Sequence, residues 1–145
     1  MSIVLNNHAA TDFIVRASGA KFDAEKDTSF VRLAADGRVI GGVLFTDYTF
    51  ASINVHCAGF SPNWINQDLL WVTFDLPFTK LGVGKMIAPA RESNVKSLAL
   101  LGKLGFTTEA RIADVYPNGE AMLISSLYRK DCRFLGLSPK GYRHG

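Results

Sequence analysis

Two short stretches hold side chains that could do chemistry. In SINVHCAGF, residues 52–60, His56 carries an imidazole whose ordinary pKa near 6.5 leaves it mostly neutral at pH 7 and able to accept a proton. Cys57 follows it, a thiol that becomes a nucleophile only as its anion. In SNVKSLALLGKLGF, residues 93–106, Asn94 and Ser97 stand at the start of an amphipathic pattern. A helix there turns unpaired backbone N–H groups and the positive end of its dipole toward any nearby anion. Each feature also has a plain structural reading: His56 as part of a strand wall, Ser97 as a small residue that lets a helix pack closely.

The elements that position these residues follow from periodicity and turn chemistry. SFVRLAADGRVIGGVLFTDYTF holds two β-rich runs around Asp36-Gly37, a hairpin signal, and ASINVHCAGF continues as a further strand, so the first half reads as antiparallel sheet. In SPNWINQDLLWVTFDLP the apolar stripe Ile65, Leu69, Val72, Leu76 predicts a helix near 62–76, with Ser61 as its cap, Pro62 in the first position and Pro77 ending or kinking it. GKMIAPA reads as a short buried strand. Ser93 or Asn94 caps a second helix near 94–104 with Val95, Leu98, Leu101 and Leu104 inward, and Gly105 stops it so that Phe106 opens a strand. Two closing strands surround Pro117-Asn118-Gly119.

The 145 residues suit a single domain, 1–145, with a short N-terminal part and a basic C-terminal tail, RKDCRFLGLSPKGYRHG, in which Arg143 and His144 are plain tail residues. With 48% apolar and 20% charged residues the chain is a folded one. A net charge of +3 fits a phosphorylated small molecule and is too diffuse for nucleic acid. Cys57 and Cys132 form no Cys-x-x-Cys, and no histidine cluster joins them, so neither a metal site nor a disulfide framework is expected. No apolar run approaches the roughly 20 residues of a membrane span, and the start lacks a basic leader, so a soluble, cytoplasmic protein is expected.

Strands, helix, strand, then a helix opened by Asn and closed by Gly-Phe, then two strands: this order resembles the GCN5-related N-acetyltransferase superfamily over roughly Ser29 to Leu135. The most specific part is Asn94-x-x-Ser97 followed by Leu104-Gly105-Phe106. EARIADVYPNGEAMLISSLYRKDCRFL is similar to the closing strands of the ribosomal-protein N-acetyltransferase branch, and the Ser-Pro-x-Trp loop to that of small phage-type members. The resemblance implies an α/β (α+β) fold with a mixed, mainly antiparallel sheet, splayed between the SINVH and KMIAP strands and flanked by helices. Met1 to Thr28 is short for the two helices that many members place over the acceptor.

The resemblance further implies an acetyl-CoA-dependent N-acetyltransferase that moves the acetyl group to a protein or small-molecule amine by direct transfer. Its partners would be acetyl-CoA and that amine, with a homodimer left open and a membrane excluded. The cofactor would lie along Ala58, Gly59, Asn63, Trp64, Ile65, Asn66, Asn94 and Ser97. Where the family's phosphate loop reads Gln/Arg-x-x-Gly-x-Gly/Ala, this chain has Ser61-Pro62-Asn63-Trp64-Ile65-Asn66, so Trp64 and Asn66 replace both glycines. Trp64 is either an apolar anchor for the helix start or a surface for the cofactor. His56 is the leading base, Ser97 the proton donor to the leaving thiolate, because Leu101 stands where many members carry a tyrosine, and Glu109 takes the place of a strand carboxylate. Asp47 and Tyr48 complete the shortlist, Asp47 also as a turn residue; Arg91, Lys96 and Lys103 either offset phosphate charge or form a solvated face. The altered loop also admits a second reading, a catalytically impaired binding module acting through protein contacts.

Overall fold

The computed structural model describes residues 2–137; the end of the basic tail, with Arg143 and His144, lies outside them. Strand β1 (Ser2–Leu5) leads into helix α1 (His8–Ser18), capped by the Asn7 side chain on Ala10 N at 3.0 Å. An antiparallel meander follows: β2 (Thr28–Leu33), β3 (Val39–Thr46) and β4 (Ser52–Gly59). Then come α2 (Gln67–Phe74), β5 (Lys85–Arg91), α3 (Val95–Leu104), β6 (Thr107–Ile112) and β7 (Met122–Tyr128). The sheet order is β1-β2-β3-β4-β5-β7-β6, and of the paired neighbours β4 and β5 alone run parallel. This is the mixed, mainly antiparallel sheet that the sequence predicts.

Strand alternation sorts the side chains onto two faces. Val43, Phe45, Ile53, Val55, Met86 and Ala88 point to the face covered by α2 and α3, where they pack with Leu69, Val72, Phe74 and Leu101. Val31 and Leu44 point to the other face, against Ala10 and Ile14 of α1. Each large apolar side chain so buried contributes about 1.5–3 kcal/mol before conformational entropy is charged against it.

The second predicted helix is observed with the predicted cap and stop, but Val95, expected inward, is exposed, and of its apolar stripe Leu101 is buried while Leu98 and Leu104 are half-buried. Asn94 Oδ1 accepts from Ser97 N at 3.2 Å, and Gly105 ends the helix in the left-handed region (φ 99°) that favours glycine. The first differs at both ends. Residues 61–66 form a loop, the cap is Asn66 rather than Ser61, and α2 begins at Gln67. At the far end Pro77 does not stop the coil. The proline lacks an N–H, and the chain widens into a π-helical segment, Asp75–Lys80, closed by Leu81 N on the Leu76 carbonyl at 2.9 Å. The hairpin loops at Asp36-Gly37 and Pro117-Asn118-Gly119 join β2 to β3 and β6 to β7 as expected, with Asn118 and Gly119 both at positive φ.

Candidate active site

Parallel pairing of β4 and β5 is confined to Ser52–Asn54 against Lys85–Ile87. Beyond Asn54 the strands part, and the side of β4 away from β3 has no strand to pair with. A cavity of about 490 Å³ fills this gap. Its walls include the end of α1 and the loop after it (Arg16, Lys21) and also α2 and α3 (Leu69, Thr73, Ser97, Leu101). Those elements lie on opposite faces of the sheet, so the cavity passes through the sheet at the splay.

His56 stands two residues beyond the last β4–β5 pair and lines this passage. Its Nε2 lies 3.2 Å from Thr46 Oγ1, whose hydroxyl donates to Asp47 Oδ2 at 3.0 Å. With that proton committed, Thr46 accepts from Nε2–H, and the lone pair of the neutral ring falls on Nδ1. Burial lowers the His56 pKa below its ordinary 6.5, and the Asp47 and Asp27 carboxylates oppose the shift without cancelling it. The ring is therefore a neutral proton acceptor at pH 7. Asp47 opens the loop after β3, at φ 53°, and is also the far end of the chain of hydrogen bonds that sets the tautomer. Cys57 alternates to the α2–α3 face of β4 and lines the same cavity from that side, and burial pushes its thiol up to about 11, too high for a thiolate nucleophile at neutral pH.

From the α3 side, Asn94, Ser97 and Leu101 reach the same cavity. Leu101 is a core residue and brings no hydroxyl, which leaves Ser97 as the hydroxyl of α3 on the cavity wall. Tyr116, which sequence reading did not single out, lines the cavity from the β6–β7 loop, with the Arg91 guanidinium 4.1 Å from its ring centroid. Its signal was the neighbouring Pro117-Asn118-Gly119 turn, which folds that loop back toward the end of β5.

The loop before α2 is built around Arg32 and Trp64. Arg32, Gly41 and Gly59 are cross-strand neighbours on β2, β3 and β4. Arg32 Nη1 donates to the carbonyls of Asn63 (2.7 Å) and Trp64 (2.8 Å), and the indole packs directly against both glycines. A Cβ at Gly59 would stand 2.1 Å from the indole Cδ1, and one at Gly41 2.6 Å from Cε3. Trp64 and Ile65 line the cavity; Ala58, Gly59, Asn63 and Asn66 do not. Ala58 packs toward α1, Gly59 lies under the indole, and Asn66 spends its side chain on Leu69 N at 2.8 Å. A through-sheet passage beside an open strand edge could hold an extended acyl chain such as the acetyl and pantetheine end of acetyl-CoA. A phosphate brought to the start of α2 would meet a clamped loop and Asp68 in the first turn, a poorer anion site than a glycine cradle.

Glu109 is not brought to the site. It sits on the exposed edge strand β6, and both carboxylate oxygens lie 2.8 Å from Lys85 Nζ, which holds its carboxyl below the usual range. Tyr48 packs on Phe50 with ring centroids 4.7 Å apart and, like Lys96 and Lys103, is no part of the cavity wall, whereas Arg91 is. Among the described residues no group of His, Cys, Asp and Glu could hold a metal ion, and no helix is long and apolar enough to cross a membrane.

No protein-family model and no curated protein sequence matches the chain. Solved structures do. A ribosomal-protein-S5-alanine acetyltransferase from Vibrio fischeri superposes with a TM-score of 0.62 at 23% identity, over 75% of this chain and 65% of that one, so the chain spans somewhat less than two thirds of that protein. A mutant form of the spermidine N-acetyltransferase SpeG from Vibrio cholerae gives a TM-score of 0.70 at 15% identity, over 94% of this chain and 98% of that one. The splayed sheet flanked by helices is thus the fold of the GCN5-related N-acetyltransferases. Both of these neighbours are acetyltransferases, one named for ribosomal protein S5 alanine and the other for spermidine.

Proposed function

We propose that this chain is an N-acetyltransferase that passes the acetyl group of acetyl-CoA directly to an amine. What carries the reading is the passage through the splay, with a neutral His56 in its wall and Asn94 and Ser97 reaching it from α3. An ammonium has no lone pair, so the acceptor must first lose a proton, which His56 Nδ1 takes. The amine nitrogen then attacks the thioester carbonyl, the C–N bond forms and the C–S bond breaks. The thiolate takes the Ser97 hydroxyl proton, and solvent restores it. Open backbone groups of β4 past Asn54 and the start of α3 hold the cofactor chain, and Trp64 and Ile65 bound its path toward the α2 start. Two free cysteines, Cys57 and Cys132, support a reducing compartment such as the cytoplasm, and one continuous sheet supports a single domain.

The clamped Trp64 loop favours a second reading, a binding module that has kept the fold and lost cofactor binding. Calorimetric titration with acetyl-CoA and CoA separates the two. Binding in the micromolar range, followed by thiol release when amines are added, is expected. No heat and no melting shift at millimolar acetyl-CoA would reject the transferase and leave the binding module.

A further inference from the structure

The two mouths of the passage differ in charge. On the α2 and α3 side the wall is made of Trp64, Ile65, Leu69, Ser97 and Leu101, none of them charged. On the other side it includes Arg16 and Lys21, from the end of α1 and the loop after it, and Arg91. Met86 and Ala88 belong to the α2–α3 core, so strand alternation turns Arg91 to the opposite face. No Asp or Glu is among the described residues that line the cavity.

These cations do not belong to the cofactor's phosphates, which would lie toward the loop before α2, on the uncharged side. Nor are they incidental in arrangement. Arg91 is fixed between Glu120, at 3.1 Å, and the face of the Tyr116 ring; Arg16 is paired with Asp12 at 2.6 Å. Lys21 has no ion pair among the described residues. Asp12 and Glu120 offset the two arginines, so the net positive charge of this mouth is that of Lys21; with no carboxylate left over to receive an ammonium, it disfavours an acceptor with several ammonium groups. It attracts an anion, and it favours the neutral form of an amine placed beside it, the form that reacts.

Resting on the transferase reading above, we propose that the acceptor is a small amine that also carries an anionic group, a carboxylate or a phosphate, within a few bonds of its nitrogen. Lys21 and Arg91 receive that group, with Arg16 at the rim.

The test is thiol release from acetyl-CoA with aspartate, glutamate, β-alanine and O-phosphoethanolamine compared with putrescine and spermidine, after acetyl-CoA binding has been measured by calorimetry. The expected result is a higher kcat/KM for at least one anionic amine than for either polyamine. Lys21→Glu, at an exposed position with no fold at stake, should raise KM for that amine about fivefold or more, with Lys21→Met intermediate. Binding of acetyl-CoA with a preference for spermidine or putrescine, with no acetylation of any anionic amine, or with an unchanged KM in Lys21→Glu, overturns the acceptor class and leaves the transferase standing. Failure to bind acetyl-CoA overturns the transferase itself and this inference with it.

Discussion

Two helices of this chain begin in the same way after a central strand. Asn66 caps α2 through Leu69 N at 2.8 Å, and Asn94 caps α3 through Ser97 N at 3.2 Å. Their surroundings differ. The loop before α2 is clamped, with its carbonyls on Arg32 and its indole over Gly41 and Gly59, and Asp68 adds a negative charge to the first turn. The start of α3 has no acidic residue in its first turn, Asn94 is exposed, and it reaches the cavity. The same cap and the same dipole therefore give one rigid start and one available start. A helix terminus becomes useful to a ligand through what surrounds it as much as through its own amides.

The largest effect should come from the available start. Ser97→Ala is expected to lower turnover by about 10²-fold or more with acetyl-CoA affinity unchanged, since a positioned acid is typically worth that much; equal loss of affinity would make Ser97 a packing residue. Next comes the rigid start. Trp64→Ala should cost about 3 kcal/mol in urea unfolding, whereas Gly59→Ala, harmful in the parent, should become nearly neutral in the Trp64→Ala background, where its Cβ has no ring to strike. Additive losses in that cycle would mean the indole is not what forbids a side chain at Gly59.

A finer comparison uses paired Asn→Asp variants, because aspartate caps as well as asparagine but adds a charge. If the cofactor phosphates lie at the start of α2, Asn66→Asp should weaken acetyl-CoA binding by about 1 kcal/mol and Asn94→Asp by less, with melting temperatures unchanged. The reverse order would move the phosphates to α3. The smallest effect concerns His56, set between the two starts. Its folded pKa is depressed, so the unfolded chain binds the proton first. The contribution to stability is level above pH 6.5 and falls as the pH drops through 6.5 toward the folded value. Urea midpoints at pH 7.5 and 5.5 should show this loss in the parent and less of it in His56→Gln.

The contrast also explains what could be read in the sequence. The α3 start was legible because its cap, apolar stripe and glycine stop are all local. The α2 start was misplaced because Ser61-Pro62 is as good a local opening as Asn66, and what decides between them, the Arg32 guanidinium, is 31 residues away from Asn63 in the chain. Helix α1 escaped notice for another reason: Ala10, Thr11 and Ile14, its buried residues, make too sparse a stripe to announce it. Of the candidate residues, His56, Asn94 and Ser97, which line the cavity, stood out by residue type and by their position after strand and cap signals. The Thr46–Asp47 link to His56 was not, since it depends on the β3–β4 register that sets Thr46 opposite Asn54 and Leu44 opposite His56. That Glu109 lies away from the cavity was not legible, because periodicity does not reveal that β6 is the edge strand or that Lys85 faces it from β5.

A passage open on both faces of a single sheet also fixes the order of kinetic events for the proposed transfer. The donor can approach from the α2–α3 side and the acceptor from the α1 side, so both can be present before any bond changes. Double-reciprocal initial-rate lines should then intersect rather than run parallel, and without acceptor no isotope should exchange between free CoA and acetyl-CoA. The route through the sheet makes a covalently loaded protein unnecessary, and the buried, protonated Cys57 agrees with that.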